Sequence, residues 1–430
     1  MNRTVALASL LLGGFTATIA LTSNMPGNFA IITDSSRVDV LVYSAAAGAT
    51  LGAITAAFTV ILARRRRTLA SIAALGLVLL AVTSFHGFWQ WEFYPQRVGA
   101  GALLGALAGL CNTRDRPMLQ TALAAGAVGG LLLSEPIDEY RSAFPRRYAD
   151  YLPADYVSAA PDAFMLSLLS LTVVALLVAI QRGAFGVPDP ARADGRVREL
   201  AVGVAVPVAG LLLHWSLVRA VQGMSTTEVT QERWLFGLAV TPVFVAGALW
   251  LPRRQGMVLL AALAFIAAAS GGVRWSSDSW PSLLIPAMLV VLGAVFGRRW
   301  PSPLVGVAAL ALVAASAVFD EQPWDTVHIG GAVLLLPFAA GFTVAACLPS
   351  SAPATTISLA APAAVTVPLI TQFGWTAYTP LTPSRTALSS SAWQWTSTGV
   401  TVAAVLISGA AIAWLQRRPA EKPPSVEAPM

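Results

Sequence analysis

Charged side chains are rare in this sequence, so the few that border apolar stretches are the ones whose chemistry has to be explained. Arg97, in QRVGAGALL, stands at the head of a Gly-rich apolar stretch with Gly101 four residues on. A guanidinium stays protonated and needs a carbonyl, a carboxylate or water. Arg97 therefore reads either as a substrate or relay contact or as a side chain snorkelling outward. The acids nearest to apolar stretches are Asp39 and Glu135, the latter followed by Asp138 and Glu139, with a similar group at Asp320, Glu321 and Asp325. These could gather cations or hold Arg97, although solvated loop charges are the commoner explanation of such groups. Three histidines (His86, His214, His328) and two cysteines (Cys111, Cys347) lie on separate stretches. Their spacing suits neither a metal site nor a nucleophile with its base. No residue is assigned a catalytic or metal-binding role, and no cofactor is expected.

The elements that must position these residues follow from composition. Of 430 residues, 56% are hydrophobic and 11% charged, and the mean hydropathy is +0.69. A water-soluble core does not need that much apolar surface. Continuous runs of about 20 apolar residues, long enough to span hydrocarbon as helices, recur along the chain. Fourteen are read, near 4–22, 39–62, 69–87, 98–112, 119–134, 162–181, 199–220, 234–251, 256–273, 281–297, 303–319, 328–348, 354–374 and 396–416, with twelve as the alternative. The runs do not alternate, which excludes barrel strands. The first is read as a span rather than a cleaved leader, because its positive flank is only Arg3.

A net charge of +6 and a pI near 9.8 resemble a nucleic-acid footprint until the charges are sorted by side. With the first residue inside, one set of loops holds Arg3, Arg64, Arg65, Arg66, Arg67, Arg114, Arg116, Arg182, Arg192, Arg196, Arg198, Arg253, Arg254, Arg298, Arg299, Arg417, Arg418 and Lys422. That is 18 of the 27 basic residues against six of the 21 acids, so this face is basic and the other acidic. The asymmetry predicts a bacterial inner-membrane protein with an even number of spans and both ends cytoplasmic, and no nucleic-acid partner.

Residues 63–110 have a partner in residues 297–342. Each stretch reads as an arginine cluster, an apolar helix, a Trp-bearing loop and a Gly-rich helix, with Arg64 and Arg65 falling on Arg298 and Arg299. If these correspond, spans 1–6 answer to spans 9–14 and spans 7 and 8 are inserted between them. The expected fold class is an all-α integral membrane protein of two pseudo-symmetric six-helix bundles with an inserted helix pair. Its parts are a bundle over 1–181, a cytoplasmic loop over 182–198, the inserted pair over 199–255, a second bundle over 256–417 and a tail over 418–430.

In these features the chain resembles the major facilitator superfamily, and in particular its fourteen-span drug:proton antiporters. That branch carries Gly-x-Leu-x-Asp-Arg-x-Gly-Arg-Arg between spans 2 and 3. Here FTVILARRRR keeps Arg64 to Arg67, with Leu62 in the place of the acid. The Arg97–Gly101 spacing fits the branch's fourth span. AAGAVGG keeps Gly129 and Gly130 of its fifth-span glycine motif without the proline, and Thr16 stands where span 1 carries an Asp. The glycines also serve simple close packing of helices. The resemblance implies a secondary transporter working by alternating access, and two of the acids it would use for protons are absent. The expected function is export of small amphiphilic or lipophilic compounds by a protein that is not an enzyme. The alternatives are a transporter-fold scaffold for a membrane-protein partner in envelope assembly, a transferase acting on a lipid-linked substrate through an outer-loop acid such as Asp34 or Glu92, or a polysaccharide-lipid flippase of a different fourteen-span fold.

Overall fold

The structure, a computed structural model, describes residues 2–22, 45–63, 65–85, 93–111, 117–141, 162–185, 196–222, 233–252, 254–270, 280–319, 323–373 and 390–418. Among these residues every regular element is helical. The first six helices are α1 (Asn2–Thr22), α2 (Ala45–Leu62), α3 (Arg66–Phe85), α4 (Phe93–Cys111), α5 (Pro117–Arg141) and α6 (Ala163–Gln181). Two more follow, α7 (Arg196–Gln222) and α8 (Arg233–Trp250). The rest are α9 (Gly256–Ser270), α10 (Trp280–Arg299), α11 (Pro303–Ser316), α12 (Asp325–Ala346, with a π turn at Gly331–Leu335), α13 (Ala352–Phe373) and α14 (Ser390–Arg417). Each overlaps one of the apolar runs. Eight are long and apolar enough to cross a bilayer, and four more are apolar but shorter over their described parts.

Helices are the outcome lipid allows, because each satisfies its own backbone polar groups. The hydroxyls follow the same rule by bonding back to the preceding turn. Thr18 donates to Gly14 O, Ser84 to Leu80 O, Thr343 to Ala339 O and Ser408 to Ala404 O, all at 2.6–2.9 Å. Helix ends carry suitable caps. Asp162 accepts the Met165 N–H at 3.0 Å ahead of α6, and Ser351 accepts the Ala354 N–H at 3.2 Å ahead of α13.

The packing has a pattern that repeats. α1 lies along α5 and α2 along α4, while α3 rests on α4 and α6 on α1. The same partnerships recur eight helices later: α9 with α13, α10 with α12, α11 with α12, and α14 with α9. The two sets meet where α2 packs on α13 and α5 on α10. α7 and α8 pair with each other, α7 also against α2 and α13, and α8 against α9 and α14. This is the fold of two six-helix bundles with an inserted pair.

Burial follows position in the pattern. α9 is buried along nearly its whole length, whereas α3 turns Leu75, Val78 and Val82 outward and α6 turns Leu171, Val174 and Leu177 outward. Apolar stripes of that spacing face lipid. Between helices lipid supplies no hydrophobic drive, so close contact of small residues carries the packing. At the α2–α4 seam a Cβ on Gly101 would collide with the Gly52 carbonyl. At the matching α10–α12 seam a Cβ on Gly293 would collide with the Phe338 carbonyl.

Candidate functional site

Arg97 is the largest fully buried side chain among the described residues. It lies in the opening turns of α4 and is 1% exposed. The glycine seam holds its backbone, since a Cβ on Gly52 would press on the Arg97 carbonyl. The guanidinium reaches across to α1 and its Nη1 donates to Ala20 O at 2.5 Å. The last carbonyls of a helix lack partners within it and carry the negative end of its dipole, so a cation placed there is doubly favoured. Asp138, from the end of α5, acts electrostatically on the same guanidinium. The outward-snorkelling reading of Arg97 is therefore corrected. Close packing against α2 turns it into the bundle, where α1 and α5 supply an oxygen and a charge.

Glu135 and Asp138 are half-buried residues of α5, which runs on to Arg141. The reading of this acid group as loop charge is corrected accordingly: Pro136 is accommodated inside the helix and the acids ride on a helical turn. Asp39 and Arg64 lie outside the described residues. In AAGAVGG, Gly126 and Gly130 face α1, one against the Leu11 carbonyl and the other against Thr18 and the Phe15 carbonyl. Gly129 meets only the Phe15 ring, at ordinary contact distance. Thr16, in the place of the antiporters' acid, is buried with its hydroxyl 2.8 Å from that of Thr172 on α6.

At the other end of the bundles the arginines separate into two kinds. Arg65 and Arg67 are exposed, Arg66 is half-buried, and Leu62 is 69% exposed. Arg299 is exposed beside the Trp300 ring. Arg298 is half-buried and its Nη1 donates to Leu348 O at 3.0 Å. That carbonyl belongs to the short linker between α12 and α13, where further bonds converge. The Gln120 amide, at the start of α5, donates to Ser350 O at 3.0 Å and accepts the Ser350 N–H at 3.3 Å. The Ser351 hydroxyl donates to Glu199 Oε1, in the first turn of α7, at 2.9 Å.

Gln120, Glu199, Ser350 and Ser351 were not picked out by sequence reasoning. Glu199 is one of the six acids on the basic face, yet it is 6% exposed. The usable signal was an acid in the first turn of an apolar helix, three residues after Arg196. Nothing local in the sequence marks the α12–α13 linker as its partner.

All-helical bundles paired in this way, with apolar stripes turned to lipid, define a membrane protein of the major facilitator fold. Among solved structures, the human organic anion transporter MFSD10 (TETRAN) is similar at 14% identity, with 94% of this chain and 98% of that chain covered and a TM-score of 0.53. Two others cover the chain at lower scores. They are the POT family transporter PepTSo, at 13% identity, 97% and 99% coverage and TM-score 0.48, and the xylose transporter XylE from E. coli in a partially occluded inward-open conformation, at 16%, 97% and 99%, and 0.47. The likeness is one of fold. No family model matches the chain. No curated protein matches it in sequence.

Proposed function

We propose that this chain is a secondary transporter that moves small amphiphilic or lipophilic compounds out of a bacterial cell by alternating access, the bundles of residues 1–181 and 256–417 rocking about the seams between them. The observation that carries the reading is the recurrence of one helix-pairing pattern in α1–α6 and α9–α14, joined through α2–α13 and α5–α10. Transporters use such related halves to expose a site between them to each side in turn. The substrate class rests on side-chain chemistry. Among the described residues the buried charged side chains are Arg97 and Glu199, too few for a strongly polar or multiply charged cargo. MFSD10, named as an organic anion transporter, is compatible with one cationic contact such as Arg97.

The loop 182–198, the pair 199–255 and the tail 418–430 complete the division. In this reading the arginine-rich end faces the cytoplasm of the inner membrane, which the excess of basic residues in its loops supports. Reconstituted protein should accumulate or release a lipophilic fluorescent cation or anion across a vesicle membrane, driven by a proton or sodium gradient. Absence of flux for every amphiphile class under both gradients overturns the proposal. Labelling single cysteines placed near Arg65 and Arg299 with an impermeant reagent tests orientation, and both should be silent in intact cells.

A further inference from the structure

The α12–α13 linker is bound by three separate parts of the molecule within four residues. Arg298 of α10 holds Leu348 O, Gln120 of α5 brackets Ser350 through both its amide atoms, and Glu199 of α7 takes the hydroxyl proton of Ser351 in a hydrogen bond. These parts are the second bundle itself, the first bundle and the inserted pair. A rocking motion that opens the arginine-rich end has to part Gln120 from Ser350, because the two belong to opposite bundles.

Glu199 differs from the other members of this clasp because it can change charge. Among the described residues it is the one buried acid. Its position is tightly specified: the Ser351 oxygen accepts the Ala354 N–H as the cap of α13, so the hydroxyl proton is directed at the carboxylate. Arg196, one turn back on the same helix, acts on it electrostatically. The helices packed on α7 bring little competing charge. α2 and α13 contain no ionisable residue, and α8 contains only Arg233, at the end away from the linker. Arg298, the nearest basic residue of α10 on the linker, is committed to the Leu348 carbonyl.

We infer that Glu199 is the proton-binding group of a latch at the arginine-rich end: the inserted helix α7 carries it to the α12–α13 linker, and its protonation state biases whether the two bundles are clasped there. The inference rests on the transporter reading. A carboxylate enclosed by Ser351 and Arg196 when the clasp is shut, and wetted when it opens, binds its proton unequally in the two states. Linkage then makes opening depend on pH. The proton comes from and returns to the aqueous phase, and no bond other than O–H is made or broken. The inserted pair thereby supplies an acid to a fold in which the resemblance expected acids at the positions of Leu62 and Thr16.

The test is the distance between spin labels at Met118→Cys, exposed at the start of α5, and Trp300→Cys, exposed at the end of α10, with Cys111 and Cys347 replaced. Full-length protein in lipid nanodiscs is compared at about pH 5.5 and about pH 8, on the two sides of neutrality, so that a protonation-dependent change can be read. The parent is expected to redistribute between a short and a long distance with pH, and Glu199→Gln to show one distribution at both. Gln120→Ala should shift the population towards the long distance at both pH values. Ser351→Ala keeps the carboxylate, and should move the pH response without abolishing it; it also serves if Glu199→Gln fails to fold. A parent with no pH response, or a Glu199→Gln variant that responds like the parent, overturns the inference. Flux measured on the same variants reconstituted into sealed vesicles separates the two ideas. A pH-driven distance change without flux leaves the latch standing and defeats the transporter reading, while flux with an unmoving clasp does the reverse.

Discussion

The two six-helix halves share a pairing pattern and differ in what they bury. In the first, α4 carries Arg97, which reaches α1 at Ala20 and is acted on by Asp138 of α5. In the second, the corresponding stretch of α12 puts His328 against Ser316 at the end of α11, at 3.2 Å, and continues into the π turn at Gly331–Leu335. The α1–α5 seam closes on Gly126 and Gly130, whereas α13, the counterpart of α5, contains no glycine and buries alanines, Thr355, Thr356 and Ser358. The glycine contact at α2–α4 and α10–α12 is kept in both. What the halves hold in common is therefore the route of the backbone, and the polar chemistry belongs to each half separately.

Changes at equivalent places should expose this difference, the largest first. Arg97→Ala leaves Asp138 without its cation and empties a buried volume. It should cost about 3–5 kcal/mol of stability, read as a large fall in the unfolding temperature of protein in detergent, with Arg97→Lys recovering only part. Equal loss from Ile329→Ala, the repeat-related site in α12, would erase the distinction between the halves. Gly101→Ala and Gly293→Ala push a methyl against backbone that has little room to yield, and each should cost roughly 1–3 kcal/mol. A gap between the pair of more than about 2 kcal/mol would break the claim that the two seams correspond. His328→Leu gives up one hydrogen bond to Ser316 and should cost about 1 kcal/mol, well below Arg97→Ala. Gly129→Ala has room beside the Phe15 ring and gains helix propensity, so it should be neutral or stabilising by up to about 1 kcal/mol. Gly130→Ala, one residue on, should instead destabilise through the Phe15 carbonyl.

Much of the architecture was legible because the bilayer imposes it. An apolar run in lipid has to be a helix, and basic residues sort by side, so the helix positions followed from composition alone. The repeat was visible at residues 63–110 and 297–342 because arginines and glycines punctuate both. The candidate site was legible only in part. Arg97 could be found as a charge beside an apolar run, but its direction depends on the Gly52 contact and on Ala20, 77 residues away. Asp138 reads as loop charge because it follows the end of the apolar run, whereas the helix continues through Pro136 to Arg141. The clasp was invisible for a plainer reason: Gln120 and Ser350 are 230 residues apart, and neither residue type announces a role.

Helix α5 is also a mechanical part. Its first turn is tied to the other bundle through Gln120 and Ser350, and its last turn sets Tyr140 edge-on to Trp280 at 4.7 Å, with Phe164 stacked on the same indole at 6.0 Å. At about 1.5 Å per residue, these 25 residues form a beam about as long as the membrane is thick, bolted at both ends to its neighbour. Such a beam cannot tilt until one bolt is drawn. The polar bolt can be exchanged for bonds to water and the aromatic one cannot, so the two ends of the beam would be released by different means.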